Sequence, residues 1–153
     1  MRRSERKLTD KTILHSIILK SKICRIAMSL NNIPYIIPAH FGFKDEVIYI
    51  HSAKTGKKIE ILTQNKNVCI EMDILNEIIK SERPCNWSTN YQCVICFGKV
   101  EFIEDKNEKI EALKIIMEHY SPNNEYIFQK ASIDKLIILK IKLDKITGKH
   151  SLK

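Results

Sequence analysis

The residues best equipped for chemistry in this chain lie in one run, Tyr-Ile-His-Ser-Ala-Lys-Thr-Gly-Lys-Lys at 49–58. Its apolar start reads as a strand, its small polar middle as a turn, and its lysine pair as the opening of a helix. The unpaired N–H groups and positive dipole end of a helix attract phosphate. Lys57 or Lys58 would add a charge-assisted hydrogen bond, and Gly56 lets the backbone come close. A capped helix with both lysines in solvent has the same spelling, so the run leaves two readings open. His51 changes charge near neutral pH, which suits proton donation; a histidine at a strand end can equally be structural. Cys93 and Cys96 have the spacing of half a metal knuckle. Residues three apart in a strand point to opposite faces, so the pair reads as thiols without a metal. Glu71 and Asp73 fall on the outer face of a strand, where water solvates them. His119 ends a helix whose dipole its charge complements. Gly-x-Gly-x-x-Gly, Gly-Lys-Ser/Thr and Gly-x-Ser-x-Gly are all absent, which removes dinucleotide folds, P-loop enzymes and the common serine hydrolases.

Several elements must position these residues. Thr9-Asp10 before Ile13, Leu14, Ile17 and Ile18 predicts a capped amphipathic helix that stops near Ser21. Cys24, Ile26, Met28 and Leu30 alternate with polar or small residues, the period of a half-buried strand. Asn31-Asn32 tolerates positive φ and predicts a tight hairpin. The return strand, 33–43, carries Pro34 and Pro38, which cannot donate to a ladder, so one side must be free at those points. Val47 to His51 forms a third strand, and Ser52 or Thr55 can cap a short helix carrying Ile59 and Leu62. Val68, Ile70 and Met72 form a fourth. Residues 74–90 read as a long polar loop, a feature often functional in a compact domain. A long strand, 91–103, bends at Gly98. Asp105 or Asn107 caps a helix over Ile110, Leu113, Ile116 and Met117, a short helical stretch follows near Tyr126, and Leu139 to Leu143 form the last strand. Six strands joined by hairpins and short helices predict an antiparallel barrel with flanking helices.

The chain has 153 residues, the length of one domain spanning 1–153, with 44% apolar and 29% charged residues. Lys and Arg exceed Asp and Glu by 26 to 18, a net charge of +8. That charge suits nucleic acid, an anionic membrane or a phosphorylated ligand and selects none of them. Much of it is terminal: Arg2, Arg3, Arg6 and Lys7 at one end, and seven lysines from Lys130 to Lys153 at the other. No apolar h-region follows the basic start, and no run is long enough to span a membrane. The five cysteines, Cys24, Cys69, Cys85, Cys93 and Cys96, are scattered singly. An odd, scattered set points to reduced thiols and a cytosolic location.

Three runs carry a family resemblance when taken together: Ile-Pro-Tyr-Ile-Ile-Pro-Ala-His-Phe-Gly-Phe (33–43), the 49–58 run, and Tyr-Gln-Cys-Val-Ile-Cys-Phe-Gly-Lys-Val (91–100). Cys24-Arg25-Ile26-Ala27 and Ile146-Thr147-Gly148-Lys149 extend the likeness over roughly residues 2 to 149. The chain resembles the pyridoxamine 5′-phosphate oxidase-like flavoproteins, and among them the nitroimidazole-resistance branch. The resemblance implies a six-stranded split β-barrel, a homodimer, and one FMN at each of two sites between the subunits. It implies that the backbone of Ile36, Ile37, Pro38 and Ala39 lies along the flavin ring, with His51 and Ser52 beside it. Lys57 would hold the phosphate, with Lys58 as the alternative. Tyr91, Gln92, Cys93 and Val94 would reach the flavin from the other subunit. Gln92 and Cys93 stand where the branch commonly has Arg and Ser, and His40 stands where Asn is common. The Arg-x-His of true pyridoxamine phosphate oxidases is missing near the C-terminus, where Lys149-His150 does not replace it, so turnover of that vitamer is not expected.

Three functions then compete. The first is an FMN-dependent oxidoreductase of nitroreductase type acting on a small molecule such as a nitroaromatic, with His51 as proton donor. The second is a flavin- or haem-type ligand binder without turnover, a carrier or sensor. The third is a basic barrel that binds single-stranded nucleic acid, which needs exposed aromatics among the lysines. Phe41, Phe43 and Phe97 sit in runs that read as core, which counts against it. Trp87 would either cover the cofactor or pack a dimer. The interface is expected on the 91–100 strand and the 74–90 segment.

Overall fold

The computed structural model describes residues 3–151; Arg2 and Lys153 of the terminal charge clusters lie outside them. In chain order the elements are β1 (Lys7–Leu8), α1 (Lys11–Lys20), β2 (Cys24–Leu30), β3 (Ile33–Ala39), β4 (Gly42–Lys44), β5 (Val47–Ala53), α2 (Lys57–Gln64), β6 (Asn67–Ile79), β7 (Ser88–Ile103), α3 (Lys106–Tyr120), α4 (Lys130–Asp134) and β8 (Leu136–Ser151). The strands form one antiparallel sheet in the order β3-β2-β6-β7-β8-β5-β4, with β1 on β8. The sheet curls into a split barrel whose ends are not zipped together.

Local chemistry explains most boundaries. Asp10 accepts hydrogen bonds from the Thr12 and Ile13 N–H groups and starts α1; Asp105 does the same for α3 from Asn107 and Glu108. Asn31 and Asn32 hold φ of 51° and 64° and make the β2–β3 turn. The inward residues of β2, β6 and β7 bury a core with Leu14, Ile17 and Ile18 of α1 and Ile61 and Leu62 of α2. A second, smaller cluster lies where α3 and α4 cover the far side of β5 and β8, around Ile116, Ile133 and Ile138.

Several expectations needed correction. Eight strands form instead of six, because the 33–43 run breaks and β1 joins. The break falls at His40-Phe41: Phe41 is fully buried, and its N–H donates to the Tyr120 hydroxyl at 3.0 Å instead of to a ladder. Residues 74–79 and 88–90 are not loop: they continue β6 and β7 into a ribbon paired from Leu75–Tyr91 to Ile79–Ser88, and only 80–87 at its tip is loop, with a 3-10 turn at Pro84–Asn86. The helix near Tyr126 is absent, and the turn of helix comes at Lys130–Asp134. Neither Ser52 nor Thr55 caps α2; Gly56 does, without a side-chain bond. Phe97 is not core but 43% exposed on the outer face of β7. Glu71 and Asp73 do lie on the outer face, but both are bound by Arg25 Nη1, at 3.0 and 2.5 Å. The bend at Gly98 is real: the β7–β8 register shifts between Phe97 and Gly98, and a Cβ there would stand 2.3 Å from the Lys142 carbonyl oxygen.

Candidate functional site

Pro34 and Pro38 fall on β3, the edge strand, which pairs only with β2. Proline has no N–H to offer a neighbour, so these residues cost nothing only where their nitrogens face the open side. The edge left by β3 is therefore richer in carbonyl acceptors than in donors. It cannot extend the sheet well, and it suits a ligand with N–H groups on its rim.

Beside that edge α2 begins. Gly56 holds φ of 108°, a conformation that favours glycine, and gives the first turn no side-chain acceptor. The first N–H groups of α2 therefore keep their affinity for an anion. Lys57 is exposed, with its ammonium 5.0 Å from the centre of the Tyr35 ring on β3. Lys58 is half-buried, and burial pushes its pKa below the usual lysine value. It lies near His51 and Cys24.

His51 stands near the end of β5, opposite Ile138 of β8. Its pKa lies below the ordinary histidine value, first through burial and then through the charges of His40 and Lys58. Both causes disfavour its charged form. His40 occupies the β3–β4 corner, its ring edge-on to Tyr120 at 5.2 Å. The Tyr120 hydroxyl also donates to the Lys22 carbonyl at 3.0 Å, locking α3 onto this corner. His119 Nε2 donates to the Ser21 carbonyl at 2.8 Å, a structural contact. Tyr120 went unread in the sequence, because nothing local marks a tyrosine at a helix end as the partner of a backbone seventy-nine residues away.

The expected residues therefore divide. Ile36 to Ala39, His51, Lys57 and Lys58 come to one end of the barrel. Ser52 adjoins them in the chain but turns inward, and its hydroxyl donates to the Ala53 carbonyl at 3.0 Å. Tyr91 to Val94 lie apart from His51 but adjoin Ile95, which the register aligns with Pro38 of β3 through Arg25 and Glu71. His51 aligns through Ile138 with Ile103 of β7, ten residues from Cys93, about 34 Å along the strand at ~3.4 Å per residue. The Val94 side chain is fully buried, leaving only its backbone to face a ligand. Cys93 and Cys96 occupy opposite faces of β7, and burial pushes the Cys96 thiol up to about 12. No group of three or more metal-ligating side chains forms among the described residues, and no helix among them is long and apolar enough to cross a membrane.

Comparison with known proteins agrees with this architecture. Residues 10–150 match the family model described as pyridoxamine 5′-phosphate oxidase. A solved structure named for 5-nitroimidazole antibiotic resistance, from Bacteroides thetaiotaomicron, is 35% identical over 94% of this chain and 86% of that chain, with a TM-score of 0.85. The flavocytochrome Anf3 from Azotobacter vinelandii superposes at a TM-score of 0.87 with 17% identity, covering all of this chain and 72% of its own. An FAD- and haem-binding protein from Mycobacterium smegmatis gives 0.87 at 16% identity, over 97% of this chain and 74% of that one. These two show the fold alone. No curated protein sequence matches the chain significantly. The match across 10–150, the 35% relative and the split barrel agree: the chain belongs to the pyridoxamine 5′-phosphate oxidase-like family.

Proposed function

We propose that this protein is a cytosolic FMN-binding flavoprotein acting as an oxidoreductase of nitroreductase type, with its cofactor held between the subunits of a homodimer. The observation that carries the proposal is the meeting of an uncapped helix start and two lysines with an acceptor-rich open edge and a histidine whose charged form is disfavoured. The residues fit FMN. The first turn of α2 with Lys58 and Lys57 takes the phosphate, and the backbone of Ile36, Ile37, Pro38 and Ala39 faces the ring edge. The backbone at Ser52 closes the end of β5. Tyr91, Gln92, Cys93 and the backbone of Val94 contribute from the second subunit. Bound FMN supplies electron or hydride transfer; the protein supplies orientation and electrostatics. His51 draws a proton from solvent and passes it to a small substrate such as a nitroaromatic.

A visible absorption spectrum with FMN released on denaturation tests the cofactor; a colourless protein that ignores added FMN ends the proposal. Anaerobic stopped-flow tests turnover. Reduced protein should pass electrons to a nitroimidazole faster than free reduced FMN does. A rate no faster favours the second reading, a flavin or haem-type binder that acts as carrier or sensor, the ligand class in the name of the FAD- and haem-binding neighbour.

A further inference from the structure

A cavity of about 540 Å³ lies where α1, β4 and α3 meet, and it shares no lining residue with the α2 end of the barrel. Its walls are pinned from three sides. Gly42 lets β4 approach α3 so closely that a Cβ there would stand 2.7 Å from the Ile115 backbone, which closes the floor. His15 Nε2 bonds Glu46 at 2.9 Å and its ring meets the Phe43 ring edge-on at 5.2 Å, which holds Phe43 in place. His119, through its bond to the Ser21 carbonyl, ties α3 to the end of α1. The cavity is therefore formed before any ligand arrives, and its size suits a small molecule. Leu19, Phe43 and Ile115 give it an apolar lining, and Leu19 is left 54% exposed. The His119 ring extends that lining, because burial disfavours its charged form.

The charges on the rim say what the cavity takes. They are Lys44, Glu111, Lys114 and Glu118. Lys114 Nζ donates to Glu111 at 2.7 Å, and Glu118 accepts from the Asn123 N–H at 3.4 Å. Lys44 has no side-chain hydrogen bond or ion pair among the described residues. Both carboxylates are thus engaged and one ammonium is free, which makes the slot complementary to an apolar body with one anionic group. We propose that this crevice binds a small amphipathic carboxylate, its tail on Leu19, Phe43 and Ile115 and its headgroup on Lys44. Glu111, Ile115 and His119 follow one another at four-residue steps along one face of α3, a wall about 12 Å long at ~1.5 Å per residue. A chain of medium length lies along that wall. The site is independent of the flavin reading, since no residue assigned to FMN lines it.

The test is an NMR titration of the isotopically labelled full chain with octanoate, with circular dichroism confirming that each variant folds. Octanoate should bind saturably, with Kd on the order of 1 mM or below, the range open to a ligand of its size. It should shift the signals of Leu19, Lys44, Ile115 and His119. Lys44→Ala should weaken octanoate ~10-fold or more, the loss of one charge-assisted hydrogen bond. The same variant should bind octan-1-ol, which has the tail without the charge, as the parent does. Leu19→Asp should weaken both probes, because it removes apolar wall; Leu19 is already exposed, so the change need not unfold the chain. Octylamine should bind more weakly than octanoate. Absence of saturable binding, Lys44→Ala that holds octanoate like the parent, or octylamine bound as tightly as octanoate overturns the proposal. Shifts confined to α2 and His51, or displacement of octanoate by FMN, would put the probe in the flavin site and overturn it too. A protein that takes octanoate in this crevice and no FMN defeats only the functional reading; one that takes FMN and no octanoate defeats only this proposal.

Discussion

Replacing Lys58 by alanine probes the phosphate site most directly. Lys58 is half-buried and faces His51, whereas Lys57 is exposed over the Tyr35 ring. A hydrogen bond to a charged group contributes about 1.5–3 kcal/mol, and ~1.4 kcal/mol is a factor of ten in affinity. A partly desolvated ammonium belongs at the upper end and an exposed one at the lower end. Lys58→Ala should therefore weaken FMN by ~30- to 150-fold, and Lys57→Ala by about ten-fold. Quenching of flavin fluorescence measures both. Riboflavin, which lacks the phosphate, should bind the two variants and the parent alike. Lys58→Ala should also let the His51 pKa rise toward its ordinary value, because one of the charges that lowers it is gone; an NMR titration reads that shift. Unchanged FMN affinity in both variants would refute the phosphate assignment. A parallel loss of riboflavin affinity would show that the fold, not a phosphate contact, had been damaged.

Acid should destabilise the protein from about pH 6.5 downward. His51 and His119 both have lowered folded-state values, so the unfolded chain takes up protons first as pH falls. Stability is then full above the unfolded value and declines below it until the folded values are passed. A melting series from about pH 8 to about pH 5 should show the decline, flattened in His51→Asn/His119→Gln, and a flat parent profile would contradict it. Gly98→Ala should cost about 1–3 kcal/mol in denaturant unfolding, since its Cβ would meet the Lys142 carbonyl at 2.3 Å. Gly56→Ala meets no atom within 4 Å, so its cost, about 1–3 kcal/mol, comes from the backbone alone. It should fray the start of α2 and weaken FMN more than riboflavin.

By itself the sequence determined whatever depends on neighbours in the chain. The two-residue period of Cys24 to Leu30, the Asn31-Asn32 turn and the caps at Asp10 and Asp105 were legible because strand alternation, positive φ and capping act within a few residues. The 49–58 run was legible for the same reason: strand end, turn and helix start are contiguous. Tertiary structure alone decided the rest. Residues 74–79 and 88–90 looked like part of one long loop because a ribbon exposed on both sides has no regular apolar alternation; only pairing with each other makes them strands, and 80–87 stays a loop. Phe97 looked like core because an apolar strand does not say which face is covered, and α1 packs on the inward face with Val94 and Cys96 rather than over it. The break at His40-Phe41 depends on a tyrosine hydroxyl seventy-nine residues away. The different burial of Lys57 and Lys58 depends on how α2 is rotated against β2 and β3. No local pattern sets that rotation; it follows from burying Ile61 and Leu62 in the core, which turns Lys58 toward His51 and leaves Lys57 on the rim.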